Sequence, residues 1–160
     1  MVAGILATMG VMTLSWKMVI DCADPHAQAA FWSAALGYTV EDNSVLIEQL
    51  LAAGHLGQSM ITTVSGRAAF RGLQAVRHPD DPVQEITGTG LGRRLLFQQV
   101  PEPKTVKNRL HLDLHAGPEH RHAEVARLCE LGATVIQEVK EPGTEHVVMS
   151  DPEGNEFCVQ

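Results

Sequence analysis

Two segments of the chain carry the same order of predicted elements. Residues 19–40 (VIDCADPHAQAAFWSAALGYTV) and residues 111–136 (HLDLHAGPEHRHAEVARLCELGATVI) each read as strand, turn, helix, Leu-Gly and strand, with Asp21 corresponding to Asp113. Each segment continues as a run of short β-type stretches, which predicts two βαβββ modules. One such sheet would expose its edges and an apolar face, so the modules are expected to pair. The cleft between them is the expected binding site.

The repeat divides the chain into three parts and predicts an α+β fold. An N-terminal extension covers 1–13, the first module covers 14–103 with an inserted helix near 43–54, and the second module covers 104–160. The opening MVAGILATMGVM is too short for a membrane span and lacks the basic start of a signal peptide. The sequence leaves open whether residues 1–11 belong to the mature protein.

Composition narrows the class of partner. The chain has 12 Lys and Arg against 19 Asp and Glu, a formal charge of -7, which does not favour binding to nucleic acid. Its three cysteines are widely spaced and form no CxxC pair, so free thiols and a cytoplasmic location are expected. A small-molecule ligand, and neither nucleic acid nor a membrane, is the predicted partner.

The strand at 110–115 carries the strongest chemical signal. Leucines at 110, 112 and 114 alternate with His111, Asp113 and His115, the pattern of a half-buried strand. The imidazole of His111 and the carboxylate of Asp113 therefore lie on one face, close enough to share a ligand, a metal ion or each other. These two residues are the candidate catalytic residues.

Two helices have clear boundary signals. Asp24 is a suitable N-cap, Pro25 a suitable first residue and Gly37 a suitable end for the first helix, whose apolar face is predicted to comprise Phe31 and Leu36 with Ala27, Ala30 and Ala34. The other helix, in EHRHAEVARLCELG, ends at Gly132, and its inner side is predicted to comprise Val125, Leu128 and Cys129.

Several stretches resemble one known superfamily. The motifs DCADP with AAFWSAALGY, HLDL with LGAT, and MSDPEGNEF are similar to the vicinal oxygen chelate superfamily, which includes glyoxalase I, bleomycin-resistance proteins and extradiol dioxygenases. GTGLGRRLLFQ and VPEPKTVKNRLHLDL resemble glyoxalase-like proteins common in actinobacteria. The resemblance implies paired βαβββ modules, a cup-shaped mixed sheet and a homodimer.

The resemblance also implies positions for metal ligands, of which one is retained. Metal-dependent relatives hold a divalent ion with His or Glu from the first and last strands of each module. His111 matches, whereas Lys17 or Val19 stands at the second histidine position, Gln98 replaces one carboxylate and Cys158 the other. We therefore expect no resident metal. The alternative is zinc, nickel, manganese or iron bound by His111 with Gln98 and Cys158.

Without a metal, His111 and Asp113 are predicted to form a hydrogen-bonded pair, which Asp21 could join, and a carboxylate beside an imidazole makes it a better base. Asp21, Gln98 and Cys158 are predicted to contribute to ligand binding. Arg94 and Lys107, in a local basic group, could receive an anionic substrate, and salt bridges on a solvated turn are the alternative for this group.

The sequence leaves two main functions open, with a modulating domain whose partner is another protein as a third. One is a glyoxalase-like lyase or isomerase acting on a small polar metabolite near His111. The other is a non-catalytic protein that binds and sequesters a small molecule, as bleomycin-resistance proteins do. The glycine-rich GTGLGRR does not indicate a phosphate loop, because it precedes a strand and no Lys-Ser or Lys-Thr follows it.

Overall fold

The computed structural model describes residues 15–160, so the predicted extension over 1–13 lies outside the described residues. Within this range a short 3-10 helix at Gln58–Met60 accompanies three α-helices and ten strands. The elements of the first module are β1 (Met18–Cys22), α1 (Pro25–Leu36), β2 (Thr39–Val40), α2 (Ser44–Ala52), β3 (Ile61–Val64), β4 (Arg67–Phe70), β5 (Leu73–Arg77) and β6 (Arg94–Gln99). Those of the second are β7 (Leu112–Leu114), α3 (Arg121–Glu130), β8 (Thr134–Glu141), β9 (Thr144–Ser150) and β10 (Glu156–Val159).

The strand order confirms the predicted α+β fold. One four-stranded sheet has the order β1-β6-β5-β2 and the other the order β7-β10-β9-β8, while β3 and β4 form a separate hairpin. In each sheet the first strand of the module pairs in parallel with the last, and the other pairings are antiparallel. The two open sheets therefore repeat one topology. Between residues 15 and 160 no helix meets the length and hydropathy needed to cross a membrane.

The ends of α1 follow the local sequence signals. Oδ1 of Asp24 accepts hydrogen bonds from the backbone N–H groups of His26 and Ala27, each at 3.0 Å. Gly37 ends the helix with φ +67°, a conformation that glycine adopts without a Cβ clash.

The predicted inner face of α1 was only partly correct. Phe31 is buried, as predicted, but the alanines at 27, 30 and 34 are exposed. The helix is rotated so that Gln28, Ala29, Trp32 and Ala35 are buried as well. The rotation is explained by contact with the second module, because Trp32 packs against Phe157 with ring centroids 5.3 Å apart.

A buried carboxylate joins the two modules. Nε1 of Trp32 donates a hydrogen bond of 3.2 Å to Oδ2 of Asp151, which is itself buried. Oδ1 of Asp151 accepts from the backbone N–H groups of Glu153 and Asn155, at 3.0 and 2.9 Å. The same carboxylate thus shapes the turn before β10 and anchors α1.

A second carboxylate of the same turn binds the backbone at the start of α1. The carboxylate of Glu153 accepts hydrogen bonds from the backbone N–H groups of Ala23 and Asp24, at 2.7 and 2.8 Å. Aromatic and aliphatic side chains of both modules consequently form a single buried cluster. The predicted pairing of the modules is present within one chain.

In the second module, two predicted core residues are exposed. Leu128 is fully buried and Val125 is partly buried, as predicted, but Cys129 is exposed on α3. Leu110, predicted to share the apolar face of the central strand, is 75% exposed because β7 begins only at Leu112. Arg121 is buried instead, where it donates to the carbonyl oxygen of Glu145 at 2.9 Å.

We expect Asp151→Ala to lower the free energy of unfolding by about 2–4 kcal/mol, because it leaves buried N–H donors without an acceptor. Urea unfolding monitored by circular dichroism measures the change. Asp80→Ala, on an exposed loop, is the matched control and should change stability by less than about 0.5 kcal/mol. Equal destabilisation by the two variants would contradict the role given to Asp151.

Candidate functional site

Two neighbouring strands of the second sheet place the candidate site. In the parallel pair of β7 and β10, Asp113 lies opposite Cys158 and Leu112 lies opposite Phe157. Phe157 is buried in the core and Leu112 packs against it, so the alternate side chains of both strands point to the other face. This register brings Asp113 and Cys158 side by side although they are far apart in sequence.

His111 completes a compact group of donor atoms. Its Nε2 atom lies 3.2 Å from Oδ1 of Asp113, so the structure places the two predicted catalytic side chains in contact. One donor atom from each of His111, Asp113 and Cys158 lies within 4.8 Å of the other two. The imidazole and the carboxylate are about half exposed, with 45% and 39% of their side-chain surface accessible. A small molecule can therefore reach the group from solvent.

A residue that sequence reasoning missed fixes the orientation of Asp113. Nε2 of Gln160 donates a hydrogen bond of 3.0 Å to Oδ2 of Asp113, which leaves Oδ1 facing His111. The backbone of Gln160 is held by Leu114, Ala116 and Gly117 through hydrogen bonds of 2.8, 2.8 and 3.0 Å. The sequence signal that could have indicated this contact is the two-residue spacing of Cys158 and Gln160. This spacing predicts that both side chains lie on the same face at the end of β10.

The thiol of Cys158 is protected from ionisation. Burial raises its pKa, and the negative charge of Asp113 and a hydrogen bond to that carboxylate raise the pKa further. The positive charge of Lys107 acts in the opposite direction. Lys107, predicted to bind a ligand, thus lies near enough to affect the site, whose three donors all come from the second module.

The donor set fits a divalent cation. Imidazole nitrogen, carboxylate oxygen and thiolate sulfur are all zinc ligands, and a carboxylate with a thiolate would balance a double positive charge. The 3.2 Å between His111 and Asp113 is also close to the roughly 3.3 Å expected between two ligands of one tetrahedral zinc ion. Within residues 15–160 this is the group of histidine, cysteine and acidic side chains that could hold a metal.

Gln98 and Asp21, both predicted to contribute to ligand binding, lie on the first sheet, whereas His111, Asp113 and Cys158 belong to the second module. Gln98 lies on β6 of the first sheet, in register with Asp21 of β1, and both side chains are exposed. Asp113, predicted to act with His111, contributes the third donor to the group on the second sheet. Asp21 lines a separate cavity of about 880 Å³ along β1.

The guanidinium of Arg94 is paired with a carboxylate of the protein. Its guanidinium donates two hydrogen bonds of 2.7 and 2.8 Å to the buried carboxylate of Glu41. Glu41 also accepts from the backbone N–H of Gly90 at 2.7 Å. An added Cβ at Gly90 would lie 2.7 Å from Cβ of Arg77, so this glycine of GTGLG is required for packing.

Comparison with known proteins assigns the family. The model of a family described as glyoxalase-like domain matches residues 17–160. The chain belongs to this glyoxalase-like domain family. Among curated proteins none matches significantly.

Solved structures agree with the glyoxalase-like fold. A glyoxalase/bleomycin resistance protein/dioxygenase family enzyme from Burkholderia phytofirmans PsJN is 15% identical with a TM-score of 0.55, covering 89% of this chain and 94% of that one. The fosfomycin resistance protein FosX from Mesorhizobium loti is 12% identical with a TM-score of 0.57, covering 94% and 91%. A mutant FosX from Listeria monocytogenes, complexed with Mn(II) and 1S,2S-dihydroxypropylphosphonic acid, is 9% identical with a TM-score of 0.55, covering 94% and 90%.

We expect Asp113→Asn to accelerate alkylation of Cys158 by iodoacetamide severalfold at pH 8, because loss of the carboxylate lowers the thiol pKa and increases the thiolate fraction. Peptide mass spectrometry in a Cys129→Ser background, which removes the exposed thiol, measures the rate. Cys22 should react little, because burial raises its pKa to about 12.

The matched control is Asp21→Asn, at the corresponding position of the first module. It should leave the alkylation rate of Cys158 unchanged. An unchanged rate in Asp113→Asn would contradict the electrostatic coupling of Asp113 to Cys158.

Proposed function

We propose that this glyoxalase-like protein is a divalent-metal-dependent enzyme, a lyase or isomerase acting on a small polar metabolite. The observation that supports the proposal is the group of three donor atoms from His111, Asp113 and Cys158 within 4.8 Å. Its position on an accessible strand face allows a substrate oxygen to approach. Zinc is the ion proposed, because thiolate and imidazole together suit it better than they suit magnesium or calcium.

Each residue has a distinct part in the proposal. His111, Asp113 and Cys158 would hold the ion, which when bound supplies a Lewis acid that polarises an oxygen of the substrate. Gln160 orients Asp113 through the hydrogen bond to Oδ2. The positive charge of Lys107, which acts on Cys158, is proposed to favour the approach of an anionic substrate to the group.

Sequestration of a small molecule without turnover is the second candidate. It is favoured by the thiol at position 158, because a buried cysteine with a raised pKa is not a general base at neutral pH. A small molecule that binds without being turned over, and whose binding is lost when the metal is removed, would support sequestration over catalysis.

We expect protein purified without a metal-affinity tag to contain about one zinc ion per chain by elemental mass spectrometry. His111→Ala, Asp113→Asn and Cys158→Ser should each weaken zinc binding by at least about tenfold, since each removes or neutralises a ligand. A competitive chelator titration measures the affinity.

Two exposed residues, one just before α3 and one within it, provide controls with the same side-chain types as two of the proposed ligands. His120→Ala and Cys129→Ser should bind zinc as the wild type does. Wild-type protein that binds no divalent ion, or full affinity in His111→Ala, would overturn the metal-dependent function.

We also propose a homodimer in a cytoplasmic setting. The strands β1 and β7 are the outer strands of their sheets, and Val19 and Ile136 are exposed hydrophobic residues on β1 and β8. The three cysteines are free thiols, which suits a reducing compartment.

Light scattering at micromolar concentration should give about twice the chain mass of 17.3 kDa. A dimer would bury strand edges and apolar surface that one copy leaves accessible. A mass of one chain across this concentration range would contradict the dimer.

A further inference from the structure

A cavity of about 640 Å³ is lined by residues of both modules. Asp113 contributes to its lining, so the cavity reaches one of the three donor residues. Its volume lies within the range of about 300–1,000 Å³ that is usual for small-molecule sites. The cavity and the donor group are therefore linked through Asp113.

Most of the cavity wall is apolar. Met18, Leu36 and Leu95 line it from the first module, and Leu112 and Leu114 line it from the second. Trp16 stands at the same cavity with 86% of its surface exposed. Such a wall favours a ligand that brings an aromatic or branched apolar body, because burial of that body removes apolar surface from water.

Three cations line the cavity, and within the described part of the chain Lys17 is the one that forms no ion pair. Arg93 donates to the carboxylate of Asp81 at 2.7 and 3.1 Å, and Arg94 is bound to Glu41. Lys17 also lines the cavity and forms no salt bridge with any residue from 15 to 160. An ammonium group beside an apolar wall is complementary to a carboxylate or similar anion.

We propose that the substrate is a small organic anion with an apolar body, which packs against the wall while its anionic group pairs with Lys17. This inference rests on the proposed function for its link to Asp113, and it specifies the substrate class of that site. In one alignment with the superfamily, Lys17 stands at the position of a metal ligand. The proposal instead gives Lys17 the role of binding the substrate.

The test uses three probes and the two tryptophans of the chain. The probes are 3-phenylpropanoate, 3-phenylpropan-1-amine with the same body and opposite charge, and propanoate with the same charge and no ring. Binding is followed by the indole N–H resonances in a proton–nitrogen NMR spectrum. Trp16 lies at the cavity, whereas Trp32 is buried and bound to Asp151, so it serves as an internal reference.

We expect 3-phenylpropanoate to shift the Trp16 resonance and not that of Trp32. Its affinity should be up to about fivefold higher than that of the amine, the scale of one exposed ion pair, and at least about fivefold higher than that of propanoate, which has no ring to bury. Lys17→Met keeps the apolar stem and should remove the preference for the anion. Lys140→Met, on exposed β8, should leave it unchanged. Equal binding of the amine or of propanoate, or no effect of Lys17→Met, would overturn the inference.

Repeating the titration with His111→Ala separates this inference from the proposed function. His111 does not line the cavity, so the variant should keep the preference for 3-phenylpropanoate even when it binds no metal. Wild-type protein that binds zinc but shows no preference among the probes would overturn the substrate class alone.

Discussion

The arrangement of the chain depends most on the hydrogen bonds that the buried carboxylate of Asp151 accepts. It accepts the indole N–H of Trp32 from the first module and two backbone N–H groups of its own turn. A buried carboxylate is costly unless such donors surround it, so the turn and the helix stabilise each other. The same turn leads directly into β10. The residue at which β10 begins determines which of its side chains face Asp113.

The candidate site follows from that register. A shift of one residue between β7 and β10 would turn Cys158 away from Asp113, because alternate residues of a strand point to opposite faces. The hydrogen bond from Gln160 adds a second constraint at the end of the same strand. A metal or substrate site built on two paired strands in this way has little freedom to rearrange, which favours precise positioning of ligands.

The features that could be predicted from the sequence are those with local causes. The cap at Asp24 and the end of α1 at Gly37 depend on residues within one turn, and the alternation around His111 and Asp113 depends on strand geometry alone. The exposure of Cys129 and the rotation of α1 depend on packing between distant segments, which helix periodicity does not specify. The contact of Trp32 with Asp151 and that of Gln160 with Asp113 span 119 and 47 residues, so no local pattern could reveal them.

The two modules share one topology but carry different residues at matching strand positions. Asp21 and Gln98 occupy the strand positions of Asp113 and Cys158, but on β1 and β6 they lie in another sheet and are not part of the donor group of the second module. In the proposed enzyme the second module supplies the metal group, and the first supplies Lys17 and part of the apolar wall. One fold can in this way support several chemistries, because function resides in the side chains of the site.

X-ray absorption spectroscopy at the zinc edge tests the proposed metal centre most directly. We expect one sulfur at about 2.3 Å and nitrogen or oxygen neighbours at about 2.0–2.1 Å, with the sulfur contribution lost in Cys158→Ser. A zinc environment without sulfur in the wild-type protein, or one unchanged in Cys158→Ser, would contradict a centre formed by His111, Asp113 and Cys158.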